Sequence, residues 1–303
     1  MSSPENPQFE PQPPASGEPQ TPSSNAPSFF PATVHPDFAP VPLPPEGPAP
    51  PQRIPREDPP WNGWDVAVIV GLTFVTIFIL QVAILYGAHY LVYPRKTVAE
   101  LAQRPLLLLI SQFLIDGAVG LYIYLLVKAK YHARFWRAIK WNWPSAAWRM
   151  LALGAIMLLG LSLLENILPM PKEVPFDKLF SRPRDAYLLV IIAVTLGPLV
   201  EELFFRGFFY PVLARWLGVW WGIFLSALPF ALMHLPQYGY AWSALLVVFI
   251  VGMVCGAVRA WAGSVGASFL VHAGYNGTQM LIALVWTRGF THLPKSLLQV
   301  YFR

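Results

Sequence analysis

Seven long apolar runs follow one another along the chain, at 66–92, 105–127, 150–168, 186–212, 217–235, 241–258 and 260–287. A helix needs about 20 apolar residues to cross the hydrocarbon core of a bilayer, so the pattern predicts about seven transmembrane helices. The run at 150–168 is the weakest, because Glu165 sits near its end. Closed barrels are the other spanning solution, but their strands alternate apolar and polar residues and these runs do not. The predicted fold class is all-α: a polytopic integral membrane protein.

Residues 1–63 follow a different pattern. Twenty of the 32 prolines fall in the first sixty residues, among Ser, Gln, Glu and Ala. Such a segment buries too little apolar surface to offset its ordering entropy, which predicts a disordered, locally polyproline-II tail. Phe9, Phe29, Phe30 and Phe38 are candidate partner anchors, although an inert tether is the simpler reading. The remainder, 64–303, reads as one transmembrane helical domain with its chemistry at 186–286. The tail has no apolar core of a signal peptide, so the first span would act as an uncleaved insertion signal.

Composition agrees with the runs. Of 303 residues, 55% are hydrophobic and 12% charged, about half the charge of a soluble domain. A net charge of +5 is ordinary for basic membrane loops and makes no case for nucleic acid. Cys255 is the only cysteine, so no intrachain disulfide forms. The loop 127–149 is rich in Trp and carries six Lys or Arg residues, the composition of a segment against lipid headgroups. Those cations place the loop, and with it the tail, on the cytoplasmic side of a cell membrane. The whole-chain count of ten Lys/Arg on each side of a seven-span arrangement does not add to that assignment.

Ionisable residues inside spans are costly and point to function. The runs hold Asp116, Glu165, Glu201, Glu202, Arg206, His234 and His272, while His89 and Arg259 lie near span ends. The stretch 197–211, GPLVEELFFRGFFYP, concentrates three of them. On a helix, consecutive residues point about 100° apart, so Glu201 and Glu202 cannot face one partner. Glu202 and Arg206 stand at i and i+4 in the favourable order for an ion pair. Glu201 then remains on another face for chemistry.

His234, His272 and Asn276 present further polar groups from two other spans, and Asn276 shares a helical face with His272. Hydrocarbon gives them no partners, so they should converge with Glu201 on a common cavity. A carboxylate with an imidazole activates water. A second imidazole N–H and an amide donate to the oxyanion of a tetrahedral intermediate. Gly252 and Gly256 form a G-x-x-x-G packing pattern, and Gly274 and Gly277 flank Asn276 where a substrate strand would need room.

The three motifs Glu201-Glu202-x-x-x-Arg206, Phe230-x-x-x-His234 and His272-x-x-x-Asn276, in this order over 186–286, resemble the CPBP family of intramembrane proteases. That family contains the CAAX prenyl endopeptidases and the bacteriocin-processing or immunity proteins. The resemblance implies an all-helical fold and peptide hydrolysis without a covalent intermediate. By motif position Glu201 and His234 would activate water, His272 and Asn276 would hold the oxyanion, and Glu202 and Arg206 would support Glu201. The partners implied are the bilayer and a protein or peptide substrate, prenylated or otherwise membrane-anchored.

No cofactor is expected. A zinc hydrolase is the rival enzyme, with Glu201, His234 and His272 as ligands, although no H-E-x-x-H is present. A non-catalytic scaffold or immunity-type protein, and a transporter moving protons through Asp116 and Glu201, are the other readings. One geometric problem is visible. Glu201 lies about 22 Å and His234 about 25 Å from the starts of their runs, which places them at different depths in antiparallel neighbours. A helix broken near Gly197-Pro198 and Pro229, or bent at 203–215, is the expected remedy.

Overall fold

The computed structural model describes residues 57–180 and 182–292. Of the expected tail, residues 1–56 lie outside the described residues, whereas Trp61 is fully buried and Glu57 nearly so. The described residues form helices joined by turns, with no strand among them. The α-helices are α1 (Gly63–Gly87), α2 (Val98–Leu101), α3 (Pro105–Leu125), α4 (Phe135–Ala138), α5 (Ala147–Glu165), α6 (Pro183–Ile191), α7 (Gly197–Glu202), α8 (Tyr210–Leu217), α9 (Val219–Leu232), α10 (Trp242–Ala262) and α11 (Val265–Trp286).

Local chemistry sets the helix starts. Asn62 and Asp65 close a capping box on α1, and Thr97 and Glu100 close another on α2. Prolines at 105 and 183 open α3 and α6, where a missing N–H costs nothing. Gly218, at φ 86°, makes the sharp turn from α8 to α9.

Five helical stretches among the described residues are long and apolar enough to cross a membrane: Gly63–Val92, Pro105–Lys130, Ala147–Glu165, Pro183–Leu217 and Trp242–Ala262. All seven expected runs are helical, but two fall outside this group. Helix α9 has 14 residues, about 21 Å of helix. Helix α11 has 22 residues but carries Ser268, His272, Asn276, Thr278 and Gln279. The outer surface is apolar, with Phe74, Phe78, Leu91 and Leu163 exposed, as a lipid-facing surface requires. This is a multi-pass membrane protein.

Cross-element bonds bring several chain turns to one end of the bundle. Lys130 donates to Asp65, Arg215 to the Trp61 carbonyl, and Val265 N–H to the Lys140 carbonyl. At this end Trp64, Trp136, Trp143, Trp148, Trp216, Trp220, Trp221 and Trp261 are exposed, the arrangement of an interfacial aromatic belt.

Close packing fixes the helices that carry the site. An ideal Cβ on Gly154 of α5 would stand 2.1 Å from the Val271 carbonyl oxygen of α11. One on Gly274 would stand 2.4 Å from the Leu151 carbonyl oxygen of α5. Gly274 thus serves helix contact and leaves no room for a substrate strand, contrary to expectation. Gly252 and Gly256 do pack as expected, against Ala227, Phe230 and Ile223 of α9.

Candidate active site

The segment from Pro183 to Leu217 is a single 35-residue helical rod. Two wide π-turns interrupt its α pattern, at Ile192–Leu196 and Leu203–Phe209. They close with Gly197 N–H on the Ile192 carbonyl and Tyr210 N–H on the Phe205 carbonyl. Each closing residue stands immediately before a proline, Pro198 or Pro211. A proline ring clashes with the carbonyl four residues back in a regular α-helix, and a widened turn relieves the clash without a break. The expected break at Gly197-Pro198 is therefore a widening, and α9 continues through Pro229.

The depth problem disappears for a simple reason. Depth in a hairpin counts from its turn, and the Gly218 turn lies close to midway between the motifs. Ala214 and Gly222, four residues to either side, touch. Phe205 and Phe230, thirteen before and twelve after, meet edge to face with centroids 5.3 Å apart. Glu202 and His234 stand sixteen residues to either side, so His234 comes level with the glutamates.

Glu202 is the hub. Its side chain is fully buried, and Arg206 Nη1 lies 3.0 Å from Oε1. His272 Nδ1 lies 3.0 Å from the same oxygen. The Ser268 hydroxyl, one turn before His272 on α11, donates to Oε2 and also lies 2.9 Å from the Cys255 carbonyl oxygen. Arg206, equally buried, donates its other terminal nitrogen to the Gly252 carbonyl at 2.8 Å. Its guanidinium lies 4.5 Å from the Phe230 ring centroid, a cation–π contact. The rod and α11 thus meet at one carboxylate, and α10 braces Arg206 and Ser268 through the Gly252 and Cys255 carbonyls.

Contrary to the expectation that adjacent glutamates cannot face one partner, Glu201 approaches the same imidazole as Glu202, from the side of its other nitrogen. Its side chain is 18% exposed, and its Oε2 lies 3.7 Å from His272 Nε2. That separation exceeds a hydrogen bond. A water to one side would reach both atoms at about 2.8 Å.

His234 Nδ1 lies 2.8 Å from the Phe230 carbonyl oxygen. A carbonyl only accepts, so Nδ1 carries the proton, and Nε2 of the neutral ring holds a lone pair. Both imidazoles pack on the Phe230 ring, His234 at 5.0 Å and His272 at 5.7 Å between centroids. Asn276 donates to the Ala193 carbonyl at 2.7 Å, in the first π-turn, and its amide carries a second N–H. Tyr238, in the connection after α9, was not singled out in the sequence. Burial, and then the carboxylates of Glu165, Glu201 and Asp177, push its phenol up to about 12, so it remains a neutral donor.

The metal reading meets a different donor set. Among the described residues the ligand atoms of Glu202, Cys255 and His272 lie within 4.8 Å of one another. The expected zinc set was Glu201, His234 and His272. Glu202 already engages Arg206, Ser268 and His272. A divalent cation at that carboxylate would confront the Arg206 guanidinium at close range, so these residues do not fit one.

Residues 183–278 match the family described as Rce1-like, type II CAAX prenyl endopeptidase Rce1-like. No curated protein and no solved structure matches the chain. The matched segment contains Glu201, Glu202, Arg206, His234, His272 and Asn276. By this match, residues 183–278 carry an Rce1-like type II CAAX prenyl endopeptidase domain, the family that the three motifs resemble.

Proposed function

We propose that this protein is an intramembrane endopeptidase in which Glu201 is the general base and water is the nucleophile. The observation that supports this most is the division of labour between adjacent carboxylates. Glu202 is bound on every side, and Glu201 faces His272 Nε2 with part of its surface open. In this reading 64–303 is the membrane domain and 186–286 its catalytic core.

The chemistry runs as a balanced hydrolysis. Glu201 takes a proton from water, which the His234 Nε2 lone pair helps to orient. The resulting hydroxide adds to the scissile carbonyl carbon, and the oxyanion accepts N–H donors from His272 Nε2 and Asn276. Collapse breaks the C–N bond, and Glu201 returns the proton to the leaving amine. The products are a carboxylic acid and an amine, and transfer of the acid's proton to the amine leaves a carboxylate and an ammonium.

Charge balance supports the donor role of His272. When its ring carries both protons, Glu201 and Glu202 face Arg206 and His272, and the buried cluster is neutral. An uncompensated charge at this depth costs several kcal/mol. The role of Glu202 and Arg206 is to fix the His272 ring as well as to support Glu201. No step uses a metal.

The family description points to a prenylated C-terminal CAAX segment as substrate. A lipid-anchored polypeptide suits a site within a bundle whose outer face is apolar. The experiment is a comparison of membrane proteomes from cells expressing the wild type or Glu201→Gln at equal abundance. Uncleaved, lipid-anchored proteins should accumulate with the variant. Identical proteomes, with no accumulated precursor, would favour a scaffold.

A further inference from the structure

The residues just before α1 grip the bundle more firmly than a tether requires. Glu57 is 4% exposed, and its carboxylate lies between Arg259 Nη1 at 3.0 Å and Lys140 Nζ at 2.8 Å. Trp61 is fully buried. Its ring stacks on Phe208 at 5.2 Å, and its indole N–H donates to the Phe208 carbonyl at 2.8 Å. Arg215 holds the backbone between them, donating to the Pro59 and Trp61 carbonyls at 2.8 and 3.1 Å.

The grips fall on segments that carry a partner of Glu202 or hold one in place. Phe208 belongs to the π-turn that contains Arg206. Arg259 stands two helical turns beyond Gly252 on α10, the residue whose carbonyl takes Arg206 Nη2. The Lys140 carbonyl accepts from Val265 N–H at 3.0 Å, at the start of the helix that carries Ser268 and His272. Arg206, Gly252, Ser268 and His272 are thus set in place by elements that one short segment ties together. A buried ion pair adds little net stability, because desolvation offsets its attraction, but its geometry is demanding.

We infer that Glu57 and Trp61 are positioning residues for the hydrolytic site, although both lie more than a hundred residues before the matched domain. The clasp fixes the π-turn, α10 and α11 against one another and so sets the His272 ring relative to Glu201. Its activity readout rests on the proposed hydrolysis, and a second readout does not.

The test uses the full chain in detergent or liposomes, with Trp61→Phe and Glu57→Gln made separately. Trp61→Phe removes the indole N–H and keeps an aromatic ring on Phe208. At a temperature where the variants remain folded, kcat for a cleaved peptide should fall about ten- to a hundredfold, the scale of a small misplacement. KM should stay within about twofold, since substrate contacts are untouched. The imidazole 15N resonances of His272, assigned by comparison with His272→Gln, should shift in both variants. A clasp that only adds stability would lower Tm but leave kcat per folded molecule and the His272 resonances unmoved, which overturns the inference. Should the wild type show no Glu201-dependent cleavage, the hydrolytic reading fails and the resonances alone decide. Shifted signals would uphold the clasp, and unmoved ones would refute it.

Discussion

Replacing Glu202 by Gln removes one charge from a site with no exposure to solvent. In the native protein that carboxylate meets Arg206 at 3.0 Å, His272 at 3.0 Å and the Ser268 hydroxyl. After substitution Arg206 keeps the Gly252 carbonyl and the Phe230 ring but loses its counter-charge. Breaking a buried pair in this way costs about 3–5 kcal/mol, a large part of a total stability of about 5–15 kcal/mol. For a domain of this size the loss corresponds to a fall in Tm of about 6–20 °C. Glu201→Gln, at a side chain 18% exposed and without an arginine partner, should change Tm by far less. Thermal unfolding of the purified variants in one detergent measures both. A double variant, Glu202→Gln with Arg206→Gln, removes both charges and should recover part of the loss. An unchanged Tm for Glu202→Gln, or a larger fall for Glu201→Gln, would show that the roles of the two carboxylates are misassigned.

Other consequences follow from the same geometry. Gly154→Ala and Gly274→Ala place a methyl carbon 2.1–2.4 Å from a carbonyl oxygen and should cost at least about 1–3 kcal/mol by overpacking, read as a lower Tm. Gly71→Ala, whose Cβ meets nothing within 4 Å, should be neutral or gain up to about 1 kcal/mol of helix propensity. Strong chelators should leave cleavage unchanged, and activity regained only on adding zinc to a metal-free sample would overturn the metal-free mechanism. The Tyr238 phenol, pushed up to about 12 chiefly by burial, contributes stability that is complete below the ordinary tyrosine value and lost as pH rises through about 12. Tyr238→Phe should reduce the alkaline loss of stability, and an identical alkaline profile would contradict that assignment.

Much of this architecture is legible in the chain itself. Each apolar run became a helix, because hydrophobic length is a local property. The Glu202–Arg206 pair is equally local, set by one helical turn. Other features depend on distance in space. Ser268 carries no mark of its role beyond standing one turn before His272. The level placement of Glu201 and His234 depends on Gly218 being the turn, whereas the apolar runs put the boundary at 212–217 and count each residue's depth from the start of its run. Widened turns before Pro198 and Pro211 replace the expected break, because proline strain can be absorbed by one extra residue per turn. Glu57 and Trp61 sit inside a proline-rich composition that reads as tail. Their partners Arg259, Lys140 and Phe208 are 83 to 202 residues away, so no local pattern connects them.

The most direct test of the central claim is single-residue chemistry at Glu201. Full-length wild type and Glu201→Gln, purified and reconstituted in liposomes, are given a farnesylated CAAX peptide, and cleavage products are followed by mass spectrometry. The wild type should release the C-terminal fragment, and the variant, folded with near-native Tm, should be slower by about 10²–10⁴, the contribution of a general base. Equal rates for the two proteins, or no cleavage by either, would contradict the assignment of Glu201 as the base of a peptide hydrolase acting on such substrates.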